Sequence, residues 1–193
     1  IIDKTCFSIG KRYLKDCLVN PLLDIVELER RYTLVEEMMK QDVISVRKDL
    51  KNIIDIERLH RKMAMKMMNP HSFISLDLSY SYVLSIIDNI RKLNNTSLNS
   101  LLPDINHIER FKEFIADYND KLNINKLNGV NLSNIKENIF KLGLYPKIDS
   151  IQKKLTKYNE YLNSLCNSLS DKIVNKKNTS KKNIEVKYND RDG

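Results

Sequence analysis

Apolar positions along the chain recur mostly at spacings of three and four, the period of one helical face. In "SIGKRYLKDCLVNP", Ile9, Tyr13, Leu14, Cys17 and Leu18 share a face. Asn20-Pro21 ends that element, because the residue before proline avoids the helical region. Asp24 opens a second helix, with Glu27 at capping-box spacing and Leu28, Tyr32, Val35 and Met39 as its expected buried face. Asp42 caps a shorter helix reaching Leu50. In "NIIDIERLHRKMAMKMMNP", Ile56, Leu59, Met63 and Met67 form an apolar stripe with Ala64 beside it. Asp55 with Arg58, and Glu57 with Arg61, stand at helical neighbour spacings worth ~0.2–0.5 kcal/mol per pair. Asn69-Pro70 is expected to close this helix. The next begins near Ser75, with Leu76, Tyr80, Val83, Ile87 and Ile90 on one side. "NNTSLNSLLP" reads as a loop. A helix from Asp104 to near Asn123 buries Ile105, Ile108, Phe111, Ile115, Tyr118 and Leu122.

The pattern then changes. "NINKLNGVNLSNIKENIFKLGLYP" is rich in Asn, carries Gly129 and Gly143, and reads as loops around one short helix, with a boundary near Lys141. After Pro146 the periodicity is the cleanest in the chain. Ile148, Ile151, Leu155, Tyr158, Leu162, Leu165 and Leu169 alternate steps of three and four, a coiled-coil seam that calls for a partner helix. A polar, basic run, "NKKNTSKKN", follows. In "IEVKY", Ile184, Val186 and Tyr188 alternate as in a short strand.

Composition sharpens this picture. The 193 residues include only 4 Gly and 4 Pro, which favours long regular elements. Hydrophobic residues make up 41%, enough to bury a core. The formal net charge of +8 suits an anionic partner, nucleic acid being the commonest, but it also suits a helical protein with incidental lysine enrichment. Cys6, Cys17 and Cys166 are scattered and odd in number, the pattern of free thiols in a reducing compartment. No apolar run approaches membrane-spanning length. The chain opens on Ile and ends on a glycine within a motif, so a piece of a longer protein is expected.

Chemistry is sparse. No G-x-x-x-x-G-K-[ST] or G-x-G-x-x-G pattern occurs. His60, His71 and His107 lie far apart in sequence, and none has a metal-ligand neighbour four residues on. The carboxylates sit beside Lys or Arg, as solvated ion pairs do. Met63 and Met67 fit core spacing better than a soft-metal surface. Lys176, Lys177, Lys181 and Lys182 form the one site-like cluster, between the long helix and the expected strand. At a hairpin tip they would neutralise DNA phosphates without reading bases. The competing reading is a solvated lysine loop.

Four ordered motifs carry a family resemblance. "SIGKRYLKDCLVNPLLD", with Gly10, Lys11, Arg12, Pro21 and Leu22, resembles the segment that opens the core domain of MutS mismatch-repair proteins. "LKNIIDIERLHRKMAMKMMNP" is similar to that family's Asp-Leu-Glu-Arg-Leu pattern through Leu50, Asp55, Ile56, Glu57, Arg58, Leu59, Arg61 and Pro70. "LGLYPKIDSIQKKL" is similar to the run leading into the clamp, with Ile148-Asp149 where the family has Leu-Asp. "IEVKYNDRDG" resembles a clamp strand through Tyr188, Asn189 and Gly193, although Asp190 stands where the family often has Lys. Arg191 is the nearby basic replacement.

The resemblance implies a mainly α fold: an elongated helical lever bundle with a long coiled-coil-like helix and a small α/β clamp subdomain. Residues 1–141 would be the core and lever, and residues 142–193 a clamp incomplete at its C-terminal end. It implies backbone binding to double-stranded DNA through Lys176, Lys177, Lys181, Lys182 and Arg191. Gly10, Arg12, Asp55, Glu57, Arg58, Arg61, Tyr188, Asn189 and Gly193 would be structural. The piece itself would be non-catalytic and hold no metal. ATP and Mg would belong to an ATPase elsewhere in a parent protein that pairs with a second MutS-like subunit, acts in an intracellular compartment containing DNA, and uses no membrane.

Overall fold

A computed structural model describes residues 2–128, 130, 137–172, 184 and 186 of the chain. The described residues are mainly helical, in the order α1 (Ser8–Val19), α2 (Ile25–Met39), α3 (Ile44–Asn52), α4 (Ile56–Ala64), α5 (Pro70–Lys92), α6 (Thr96–Asn99), α7 (Ile105–Lys121), a 3-10 turn (Ile124–Leu127) and α8 (Pro146–Lys172). The chain divides into two compact units, Ile1–Ile135 and Lys136–Gly193.

The first unit is organised around α5. Its 23 residues span roughly 35 Å at 1.5 Å per residue. Pro70 does not close the preceding helix, as its position in the sequence suggested. It sits in the first turn of α5, where a missing N–H costs nothing and the fixed φ suits a helix start. α5 passes through two apolar clusters. One packs Val46, Ile90 and Leu98 with Leu34, Met38, Leu50, Ile86, Leu93 and Leu102. The other packs Leu76, Tyr80 and Tyr118 with residues that include Ile56, Leu59, Met63, Met68, Phe111 and Ile115. Tyr80 meets Phe111 edge-on at 5.1 Å between ring centroids, and Phe73 meets Tyr118 the same way at 5.0 Å. Such pairs add ~0.5–1.5 kcal/mol beyond burial.

Polar ties fix α5 to its neighbours. Asp49 on α3 accepts from Ser85 at 2.6 Å and from Asn89 at 3.3 Å. The Tyr118 hydroxyl donates to Asp77. Burial first, and Asp77 second, push the Tyr80 phenol up to about 12, and the same causes raise that of Tyr118. Both rings therefore stay neutral through the physiological range.

Several sequence expectations change. α4 ends at Ala64 rather than running to Pro70. Lys66 adopts φ 56°, with Lys66 N donating to Met63 O and Met67 N to Lys62 O, both at 2.9 Å. That is a Schellman stop, normally a glycine's place. The break rotates the chain so that Met68, not Met67, enters the core, and Met67 is 68% exposed. On α2, Tyr32, Val35 and Met39 face solvent, while Leu34 and Met38 are the inward pair. Ile105, Tyr13 and Leu18 are likewise exposed. Within "NNTSLNSLLP", the helical turn α6 is capped by Asn95, which accepts from Leu98 N at 3.1 Å, and Leu98 is fully buried.

In the second unit, residues 137–145 fold back onto the first turns of α8. Asp149 accepts from Asn138 Nδ2 at 3.0 Å and Gly143 N at 2.8 Å, and Gln152 Oε1 accepts from Asn138 N at 3.0 Å. Gly143 holds φ +95°, a conformation that side-chain-bearing residues rarely adopt. The α8 seam from Ile148 to Leu169 is present as a continuous helix, and all seven of its residues are exposed. The expected strand falls largely outside the described residues. Ile184 and Val186, its two described positions, are not in a strand, and no strand longer than a single bridge residue occurs among the described residues.

Left-handed φ costs a non-glycine residue ~1–2 kcal/mol, so Lys66→Gly is expected to stabilise the chain by ~1 kcal/mol. Urea titration followed by circular dichroism measures this directly. No gain would mean that the α4 stop is not strained.

Candidate functional site

The clearest constellation in the first unit joins two distant motifs. Arg12 on α1 donates from Nη1 to Asp55 Oδ2 at 2.6 Å and from Nη2 to Asp55 Oδ1 at 2.9 Å, a two-pronged match of guanidinium to carboxylate. The same Nη2 reaches Glu57 Oε2 at 2.6 Å. Gly10 prepares this placement. A Cβ on Gly10 would lie 2.9 Å from Phe7 Cε1, so the absent side chain leaves room for the Phe7 ring against the start of α1.

The carboxylates are also locally positioned. Asp55 is the N-cap of α4 and accepts from Arg58 N at 3.2 Å. Glu57 lies in the first helical turn, where the helix dipole favours negative charge. The Ile53–Asp55 turn is anchored on α5 by Ser79, a fully buried residue whose hydroxyl accepts from Ile54 N at 3.2 Å and donates to Ser75 O at 2.8 Å. Helical spacing alone pairs Asp55 with Arg58 and Glu57 with Arg61. The structure instead gives both carboxylates to Arg12, and the side chains of Arg58 and Arg61 are exposed. Side-chain exposures of 48% for Arg12 and 24% for Asp55 make this a partly screened clasp. The guanidinium engages both oxygens of Asp55 and Oε2 of Glu57.

Other groups are distributed. The rings of His60 and Tyr80 are joined through Nε2 and the hydroxyl. Beside them a depression of about 400 Å³ is lined by His60, Met63, Ala64, Tyr80, Phe111 and Phe114. His107 stands 3.9 Å from Asp104 in a surface pair. Among the described residues no group of three His, Cys, Asp or Glu is placed to hold a metal. No described helix is long and apolar enough to cross a membrane. Lys176, Lys177, Lys181, Lys182, Tyr188, Asn189, Arg191 and Gly193 lie outside the described residues. The spacing rules missed Ser79; a serine inside the apolar stripe of α5 was the available signal.

The hydrogen bonds from Arg12, assisted by Arg58 N, hold the Asp55 carboxyl below its ordinary value of 3.8 against the opposing effect of burial. A depressed folded value means that the contribution is complete above 3.8 and is lost as pH falls through the folded value. Stability measured by denaturant titration between ~pH 5 and ~pH 2 should therefore fall less steeply in Asp55→Asn than in the parent chain. Equal slopes would show that Asp55 titrates alike in the folded and unfolded chains.

Comparison with known proteins covers both segments that form the clasp. The family model described as MutS domain III matches residues 1–188. A protein of Acanthamoeba polyphaga mimivirus, named a DNA mismatch repair mutS homologue, is 33% identical over 205 residues, covering 100% of this chain and 17% of that protein. The DNA mismatch repair protein MutS of Alkaliphilus metalliredigens is 25% identical over 191 residues, covering 98% of this chain and 20% of its own length. That of Clostridium botulinum (strain Loch Maree / Type A3) is 28% identical over 191 residues, with 98% and 19% covered. The chain thus spans 17–20% of these three relatives. With the family model extending from the Arg12 segment through α8, the chain belongs to the MutS domain III family.

Proposed function

We propose that this chain is the lever and most of the clamp of a MutS-like mismatch-repair protein, with residues 1–141 serving as core and lever and residues 142–193 as clamp. It grips the DNA backbone without reading bases and links clamp position to an ATPase in the remainder of the parent. Catalysis, ATP and Mg belong to that remainder, and the working assembly is a pair of MutS-like subunits in a compartment holding DNA. The observation that carries this reading is the family match over residues 1–188, supported by the net charge of +8. The contacts proposed for phosphate are Lys176, Lys177, Lys181, Lys182 and Arg191. Tyr188, Asn189 and Gly193 shape the turn beside them.

The exposed apolar seam of α8 favours a second reading, a helical scaffold that binds proteins and is only incidentally basic. Salt separates the two. Each phosphate neutralised steepens the fall of log K with log salt by ~0.9 on duplex DNA. Under the clamp reading, replacing the four lysines by Gln weakens binding on unrelated duplex sequences alike and reduces the slope by ~3–4. Fluorescence anisotropy of labelled duplexes across a NaCl series reads both quantities. Binding that ignores salt, or that survives the fourfold replacement with an unchanged slope, favours the scaffold.

A further inference from the structure

Helix α1 differs from the rest of the first unit in what holds it. None of its residues is buried, and none belongs to either apolar cluster. Every other helix of that unit places at least one side chain in a cluster, including the single turn α6 through Leu98. The ties described for α1 and the segment leading into it are polar. Arg12 is clasped by Asp55 and Glu57. Arg31 of α2 lies 3.7 Å from Cys17 Sγ and 6.0 Å from the centre of the Tyr13 ring. Arg47 Nη2 donates to Lys4 O at 3.2 Å. Ile9, Leu14 and Cys17 add only half-buried contacts.

We propose that α1 is a latch, a helix that leaves and rejoins the first unit as one piece while both cores stay folded, with its docked state set by the clasp of Arg12 on Asp55 and Glu57. An ion pair at half exposure is weakened by salt screening, whereas apolar docking is not. Segments with few buried contacts open locally at free energies well below global unfolding. The latch therefore has a salt sign opposite to that of a helix seated on a core. It is independent of whether the chain binds DNA.

Amide hydrogen exchange on the whole 193-residue chain tests this. Between ~0.05 and ~0.5 M NaCl, exchange across Ser8–Val19 should accelerate about tenfold while α5 and α7 keep their rates. Arg12→Gln should show the fast α1 rate already at low salt, with the salt response gone. Glu57→Gln removes one arm of the clasp and leaves the Asp55 cap in place, so it should give an intermediate α1 rate even if Arg12→Gln does not fold. Rates in α1 that ignore both salt and Glu57→Gln, or that rise together with those of α5, would overturn the latch.

Discussion

The first unit depends on the need to cover α5. Leu76, Ser79, Tyr80, Ile87 and Ile90 are all buried on it, along one stripe that runs through both halves of the helix. A stripe that runs this far along a helix needs several neighbours to cover it. α3 and α6 meet its C-terminal half, and α4, α7 and the segment after Met67 meet its N-terminal half. Ser79 shows how the burial extends outward. Its hydroxyl must be satisfied inside the core, and one of the partners available is Ile54 N, which holds the turn that presents Asp55. The Arg12 clasp is thus a surface interaction whose acidic side is positioned from the centre of the bundle.

The second unit solves a different problem. α8 starts at Pro146, and the segment before it must turn back through Gly143. Asp149, one turn into α8, accepts from Gly143 N and Asn138 Nδ2 and so serves as a fixed post for that turn. Asn138 is buried, and its side-chain oxygen accepts from Phe140 N at 2.9 Å. Phe140 and Tyr145 close the loop with an edge-on contact at 4.8 Å. An aspartate three residues after a helix-starting proline is here the means by which a helix start and its approach loop become one piece.

Much of this is legible in the sequence. The stripes of α5 and α7 are strong because their apolar residues keep one period over several turns, and α8 could be read from its seam alone. Arg12, Asp55 and Glu57 were each singled out. Their mutual contact was not, because spacing within one helix says nothing about partners 43 and 45 residues away. The end of α4 was hidden for a local reason: the stop uses Lys66 in a left-handed conformation, and no glycine marks it. α2 misled because Leu34-Val35 and Met38-Met39 offer adjacent apolar residues on two faces, so periodicity alone cannot choose between them. The choice falls to α3, α5 and α6, whose side chains receive Leu34 and Met38.

These mechanical features bear on the proposed role more than any pocket does. A part that transmits motion needs rigid bodies and defined joints rather than reactive groups. α5 ties two apolar cores together, and Asp149 ties the start of α8 to its approach loop. The carboxylates of Asp55, Glu57 and Asp149 are committed to Arg12 and to backbone N–H groups. What both units leave open is apolar surface: Tyr32, Val35 and Met39 on α2, and the whole seam of α8. Exposed stripes of this size on regular helices are costly in water and mark surfaces built to be covered. A chain spanning 17–20% of its curated relatives is the setting in which such surfaces are expected.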